Sequence, residues 1–115
     1  VVEDNPLNME LVVEMLRLQG FIVDEAKDGA EARRKAEKEV YDLIIMDIGL
    51  PDMDGVEVVK LIRSLPEYKF KPVVALTAFA MKGDKERFIK EGFDAYVSKP
   101  LNVAEFVKLM EKYRE

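Results

Sequence analysis

Short apolar runs that stop abruptly on charged or hydroxyl residues, separated by stretches with helical spacing, constrain this chain more than any other feature. The sharpest is Tyr-Asp-Leu-Ile-Ile-Met-Asp at 41–47. A strand buried on both faces reads as such a run, and its carboxyl end opens on the crevice where open α/β sheets hold their ligands. Asp47 stands at that end. The stub Val1-Val2 leads into Glu3-Asp4, the run Val73 to Leu76 into Thr77, and Phe93 to Val97 is followed closely by Lys99. These ends carry residue types suited to holding a metal and a phosphoryl group.

The segments between the runs read as helices. Asn5 is placed to cap a helix with Pro6 at its first position, running to Gln19 and stopped by Gly20. Phe21 to Ala26 reads as a second strand, and Asp28-Gly29 as a turn into a charged helix near 30–39. The strand 41–46 is followed by the loop Leu50-Pro51-Asp52-Met53-Asp54-Gly55 and a helix ending near Leu65. Residues 66–72 form a loop, 73–76 a strand, 77–83 a loop, and 84–91 a helix stopped by Gly92. Strand 93–97, the turn Ser98-Lys99-Pro100 and a helix from Asn102 complete the alternation. Five βα units with short connections imply one α/β domain over 1–115, a doubly wound parallel sheet with helices on both faces.

Composition removes whole classes of chemistry. The 115 residues include neither cysteine nor histidine, which excludes disulfides, thiolate metal sites and every imidazole-dependent mechanism. A composition 49% hydrophobic and 36% charged belongs to a folded globular chain. No apolar run approaches the roughly 18 residues that span a membrane, and no signal-peptide pattern is present, so the expected compartment is the cytoplasm. Net charge −5 argues against nucleic acid as a direct partner.

Five strings in order carry a family resemblance: Val-Glu-Asp-Asn-Pro-Leu-Asn at 2–8, Asp-Leu-Ile-Ile-Met-Asp at 42–47, Leu-Pro-Asp-Met-Asp-Gly at 50–55, Ala-Leu-Thr-Ala at 75–78 and Tyr-Val-Ser-Lys-Pro at 96–100. With them the chain resembles, over essentially its whole length, the receiver domain of bacterial two-component response regulators. Thr-Ala-Phe-Ala-Met-Lys-Gly-Asp at 77–84 looks most like stand-alone receivers and those attached to hybrid kinases. The resemblance implies a flavodoxin-like (βα)5 fold with sheet order 2-1-3-4-5. Receivers carry several more apolar residues before Val-Glu-Asp, so the first strand is expected to be truncated here. Exposed edges beside it would invite pairing, and the expected state is a monomer or weak dimer.

By that resemblance Asp47 is the phosphoacceptor, attacking a phosphoryl donor to give an acyl phosphate. Glu3, Asp4 and Asp47 form a knot of carboxylates that repel unless a cation neutralises them. Mg²⁺, which takes a few carboxylate oxygens and keeps waters for phosphate to replace, suits the knot. Asp4 and Asp47 would bind it directly, Glu3 through water, and the Gly49 backbone carbonyl would add an oxygen. The bland reading of Glu3-Asp4 is a helix cap, which would face the same place. Thr77 and Lys99 would each hold a phosphoryl oxygen. The Lys99-Pro100 bond, cis in the family, would aim the lysine inward. Thr77 and Tyr96 form the implied switch, the ring turning inward as the hydroxyl is drawn to the phosphoryl group; against it stands a half-buried ring that never moves. Gly49 and Phe79 sit where the family tunes the access of water. Neither side chain can orient a water, so the acyl phosphate is expected to be long-lived.

Helix 5–19 is apolar beyond a single stripe. Leu11, Val12, Met15 and Leu16 are expected in the core, with Leu7, Met9, Val13 and Leu18 on its flanks. Leu7 and Met9 then become a docking surface for the helical bundle of a histidine kinase or histidine phosphotransfer protein; a broad buried face is the alternative. Output is expected through a downstream protein partner on the surface of helices 84–91 and 102–115 and the strand bearing Tyr96. Apart from its own phosphorylation and slow dephosphorylation, no turnover is expected. An aspartyl-phosphate phosphatase would need a second acid near the nucleophile, where Gly49 stands, and a cap over its substrate. A flavodoxin-like cofactor binder would need a phosphate loop after the first strand, where Glu3-Asp4 would repel the phosphate. A phosphorylation-independent scaffold leaves the acidic set, Thr77 and Lys99 unexplained.

Overall fold

The computed structural model describes residues 1–78 and 84–114, the Lys85 side chain excepted. Capping sets most of the helix starts. In α1 (Pro6–Leu18) the Asn5 side chain accepts from the backbone N–H of Leu7 and Asn8 at 3.0 and 3.1 Å. Asp28 caps α2 (Gly29–Lys38), Asp54 caps α3 (Gly55–Arg63) and Asn102 caps α5 (Val103–Glu111) in the same way. The exits of α1 and of α4 (Asp84–Glu91) turn through Gly20 and Gly92, at φ +92° and +118°, where a side chain would be strained.

Three strands pair in parallel, in the order β1 (Ile44–Asp47), β2 (Val73–Thr77), β3 (Ala95–Ser98). Val2 extends the sheet by single parallel bridges to Met46 on one side and Ala26 on the other. The spatial sequence Ala26, Val2, β1, β2, β3 is the 2-1-3-4-5 order of the flavodoxin-like fold, with its first two members reduced to bridges. The expected strand Phe21 to Ala26 is therefore corrected to its last residue. Among the described residues, Val1 to Glu3 lie alongside it: the Ala26 N–H donates to Val1 O at 2.8 Å and the Glu3 N–H to Ala26 O at 3.0 Å. Residues 22–25 have no ladder to join, and Ile22 is fully exposed. The strand expected from Tyr41 begins instead at Ile44, because the Tyr41 N–H turns aside to the Tyr68 hydroxyl at 3.1 Å.

Side chains alternate across this sheet into two cores. Ile44 and Met46 of β1 join Ala32 and Ala36 of α2, Val58 and Ile62 of α3 and Phe88 of α4 on one face. Ile45 of β1 joins Val12 and Leu16 of α1 and Phe106 and Met110 of α5 on the other. The buried stripe of α1 is Met9, Val12, Val13, Met15 and Leu16. Leu11, expected in the core, is 39% exposed, while Met9 and Val13 are buried. Positions 9, 12, 13 and 16 follow the i, i+3, i+4, i+7 rule, and the phase set at the Asn5 cap turns Leu11 outward. No helix among the described residues is long and apolar enough to cross a membrane.

Candidate functional site

The site assembles at the carboxyl end of the sheet because several backbones are pinned there together. The Val2 N–H donates to Ile45 O at 2.8 Å and the Asp47 N–H to Val2 O at 2.9 Å, locking the chain at Glu3 beside the end of β1. Glu3 and Asp47 are buried, and Asp4 stands on the exposed rim. Carboxylate oxygens of these three residues lie within 4.8 Å of one another. Thr77 is buried at the end of β2, opposite Ser98 of β3. Its carbonyl accepts the Lys99 N–H at 2.8 Å, and the Lys99–Pro100 bond is cis. The Lys99 ammonium lies 3.0 Å from Asp47 Oδ1 and 3.2 Å from Glu3 Oε1.

Two buried carboxylates therefore share one ammonium. Burial, with the adjacent Asp47, pushes the Glu3 carboxyl up to about 7, against smaller opposing pulls from Asn8 and Lys99. Burial also acts upward on Asp47, but hydrogen bonds with Glu3 and Lys99, the lysine charge and the Gly49 N–H outweigh it and hold Asp47 below the ordinary value. For Lys99 the penalty of burial is overcome by Asp47 and Glu3, which raise it. On the acid side of about 7, Glu3 thus holds a proton against an ionised Asp47. A hard divalent cation is the species that would replace such a proton, and the all-oxygen donor set suits Mg²⁺.

The loop after β1 shapes the rest. The Gly49 N–H donates to Asp47 Oδ1 at 3.1 Å, and the Gly55 N–H to Ile48 O at 2.9 Å. Gly55 is indispensable there: a Cβ would lie 2.4 Å from Asp47 O. The glycine that closes Leu-Pro-Asp-Met-Asp-Gly marks this close approach in the sequence. Asp52 reaches from the same loop to the start of α2, where its two oxygens accept the N–H groups of Gly29 and Ala30 at 2.8 and 2.9 Å. Nothing in the spacing of the sequence points to that contact.

The remaining expected residues are distributed unevenly. Tyr96 is half-buried on β3, its ring 5.7 Å from that of Phe88 and tilted by 50°. Leu7 is 76% exposed, as a docking residue requires. Met9 is corrected: it is buried, because the helix phase carries it under α1, and it offers no surface to a partner. Phe79 lies outside the described residues.

Comparison with known proteins agrees with this geometry. The family model for the response regulator receiver domain matches residues 1–111. The chain is 42% identical over 113 residues to the polar-differentiation response regulator DivK of Brucella anthropi, covering 98% of this chain and 92% of that protein. It superimposes on the chemotaxis response regulator CheY4 of Vibrio cholerae with a TM-score of 0.91 and 33% identity, covering 97% of this chain and 93% of that one. The receiver domain of a sensor histidine kinase from Pseudomonas aeruginosa, solved with a magnesium ion coordinated in its active-site cleft, matches with a TM-score of 0.87 and 38% identity, covering 97% and 92%. With the acidic knot, threonine and lysine gathered at the end of a 2-1-3-4-5 sheet and a family match over nearly its full length, this chain belongs to the response regulator receiver domains of two-component signalling.

Proposed function

We propose that Asp47 accepts a phosphoryl group from a phosphohistidine of a histidine kinase or phosphotransfer protein, and that the acyl phosphate switches a protein-binding surface. The observation that carries this reading is the position of Asp47: buried, ionised, 3.0 Å from the Lys99 ammonium and ringed by Glu3 and Asp4. An Asp47 carboxylate oxygen attacks phosphorus in line, the P–N bond to the imidazole breaks as the new P–O bond forms, and the leaving imidazole takes a proton from solvent. Lys99 and Thr77 each hold an oxygen of the transferred group as it arrives. Asp4 and Asp47, with Glu3 through water and the Gly49 carbonyl, would hold Mg²⁺, which neutralises developing charge on the phosphoryl oxygens.

Neither metabolite turnover nor nucleic-acid binding belongs to this reading. The exposed Gly49 cannot aim a water at phosphorus, which favours a slow loss of phosphate. Thr77 drawn toward the phosphoryl group would free space for the Tyr96 ring, repacking it against Phe88 on the face used for output. Leu7, exposed beside the acidic end of the sheet, is the docking residue for the donor, and the exchange takes place in the cytoplasm.

Intact-mass analysis after incubation with acetyl phosphate tests the core of the proposal. One Mg²⁺-dependent phosphoryl adduct is expected, absent in Asp47→Asn; a folded chain that gains no adduct would sink it. The same assay with a phosphorylated phosphotransfer protein as donor reads docking. Leu7→Ser should slow that transfer several-fold and leave the acetyl phosphate rate alone, whereas equal slowing with both donors would remove Leu7 from the docking surface.

A further inference from the structure

Asp52 is 5 residues beyond Asp47 and on the surface, yet its side chain ties the loop bearing Gly49 to the start of α2. The backbone of segment 48–55 is tied at its two ends: the Ile48 N–H to Leu76 O of β2 at 3.0 Å, the Gly49 N–H to Asp47 Oδ1, the Gly55 N–H to Ile48 O, and Asp54 capping α3. None of these bonds reaches Leu50 or Pro51, and a Cβ built on Gly49 would meet nothing within 4 Å. Asp52 supplies a polar anchor in between, beside the packing of Leu50 and Met53. Its carboxylate straddles the first turn of α2, Oδ1 accepting from Gly29 N at 2.8 Å and Oδ2 from Ala30 N at 2.9 Å. Those N–H groups are among the orphan donors of a helix start, which favours an ionised acceptor. The same bonds hold the Asp52 carboxyl below its ordinary value.

Packing makes this contact specific. Met53, the next residue, lies so close to the start of α2 that a Cβ on Gly29 would sit 2.5 Å from Met53 Cγ. Leu50 and Met53 pack against the buried cluster containing Ala32 of α2 and Val58 of α3. The loop is therefore held onto α2 at Asp52-Met53 and closed by Gly55 onto Ile48, with Gly49 lying between Ile48 and Asp52.

We infer that Asp52 is a positioning residue for the metal site, holding the Gly49 carbonyl where it can serve as a ligand. The inference rests on the proposed Mg²⁺ reading and assigns to α2 a part in it. Released from α2, the loop would sample other backbone torsions at Gly49, and the carbonyl would be lost as a pre-oriented oxygen while Glu3, Asp4 and Asp47 stayed in place. Outer contacts that orient a ligand commonly change metal affinity by about 10- to 100-fold. For one backbone oxygen among several donors we expect about 3- to 10-fold weaker Mg²⁺ binding in Asp52→Ala.

Asp28 provides the control, because its side chain caps the same helix through Glu31 N at 2.8 Å, a bond within α2 rather than to the loop. Asp28→Ala should lower the melting temperature as Asp52→Ala does, yet leave Mg²⁺ affinity unchanged. Asp52→Asn keeps an acceptor oxygen for α2 and loses the charge, so it should retain most of the affinity. Calorimetric Mg²⁺ titrations of the wild type and the three variants, each checked for folding by its melting transition, decide the matter. Wild-type affinity in Asp52→Ala overturns the inference. So does equal weakening in Asp52→Asn and Asp52→Ala, which would make the effect one of charge alone, or equal weakening in Asp28→Ala, which would make it one of helix stability. A wild type that binds no Mg²⁺ overturns the metal reading and this inference with it, and does so without any variant.

Discussion

Two charged knots lie at opposite ends of the sheet, and they are built on opposite principles. At the amino ends of β2 and β3, Arg63 donates from Nε and Nη2 to Gly92 O at 3.0 and 2.9 Å, from Nη1 to Tyr68 O and Lys71 O at 2.6 and 2.5 Å, and from Nη2 to Asp94 Oδ2 at 2.7 Å. A guanidinium has five N–H donors, and these bonds occupy all of them. Asp94 in turn accepts the Val73 N–H that opens β2, at 2.8 Å. At the carboxyl end, Lys99 faces both Glu3 and Asp47 with Asp4 nearby, so acceptors outnumber the cation that serves them. The saturated knot holds loops together and offers nothing to a ligand. The other holds two buried carboxyl groups against one ammonium, so ionising Glu3 costs stability that a divalent cation can offset.

The contrast breaks most visibly at Arg63. Arg63→Met keeps much of the stem and deletes every donor. The Asp94 side chain is 47% exposed, so the ion pair itself contributes little. Leaving three backbone carbonyls without a charged donor is the larger loss, and we expect destabilisation of about 3 kcal/mol or more. A urea denaturation midpoint unchanged from wild type would show that the knot is ornamental. In the fraction that stays folded, Mg²⁺-dependent phosphorylation of Asp47 should persist, because none of the lost bonds reaches the site.

The two knots also differ in how far the sequence discloses them. Asp47, Thr77 and Lys99 each end or follow an apolar run, so strand polarity alone carries them to one crevice. Glu3 follows Val2, whose bridges to Ala26 and Met46 put it beside Asp47. Arg63 and Asp94 occupy ordinary positions, one late in an amphipathic helix and the other before a strand. Their meeting depends on how α3 packs against β1 and α4, which no local pattern encodes. Asp52 is hidden for the same reason, since its partners on α2 are 22 and 23 residues away. The strand expected at 21–26 fails differently: the β-pattern is present, but among the described residues Ala26 alone of that run is paired, through its bridge to Val2. In α1 the period was legible and the phase was not, so Leu11 and Met9 exchanged places.

Tyr68 extends the saturated end. Its hydroxyl donates toward Glu39 O at 2.6 Å, lies 3.1 Å from Ala36 O, and accepts the Tyr41 N–H at 3.1 Å, all beneath a fully buried ring. Tyr68→Phe should cost about 1–3 kcal/mol, since it strands those groups away from water. Burial raises the Tyr68 phenol above its ordinary 10.0. A group raised on folding contributes stability that is intact below its unfolded value and is lost as pH climbs toward the folded one. Wild type should therefore lose part of its advantage over Tyr68→Phe above pH 10.0, measured as the difference between their urea midpoints. A difference independent of pH would mean that the hydroxyl is solvated after all.

The smallest effect has the opposite sign, and it bears most directly on the contrast. Glu3 titrates at about 7 in the folded chain against 4.5 ordinarily. Between these values the folded state binds more protons than the unfolded one, so its stability falls as pH rises and remains lower above about 7. Glu3→Gln removes the charge that has to be forced on. Without divalent cations at pH 8 the variant should be more stable than wild type by about 1–2 kcal/mol, with the gap closing toward pH 4.5. Added Mg²⁺ should then reverse the order, raising the wild-type midpoint more than that of the variant. Urea midpoints taken in chelator and in Mg²⁺ read both effects. If wild type and variant ran parallel from pH 4.5 to 8, the carboxylate surplus would carry no strain, and the acidic end would be as fully balanced as the Arg63 end.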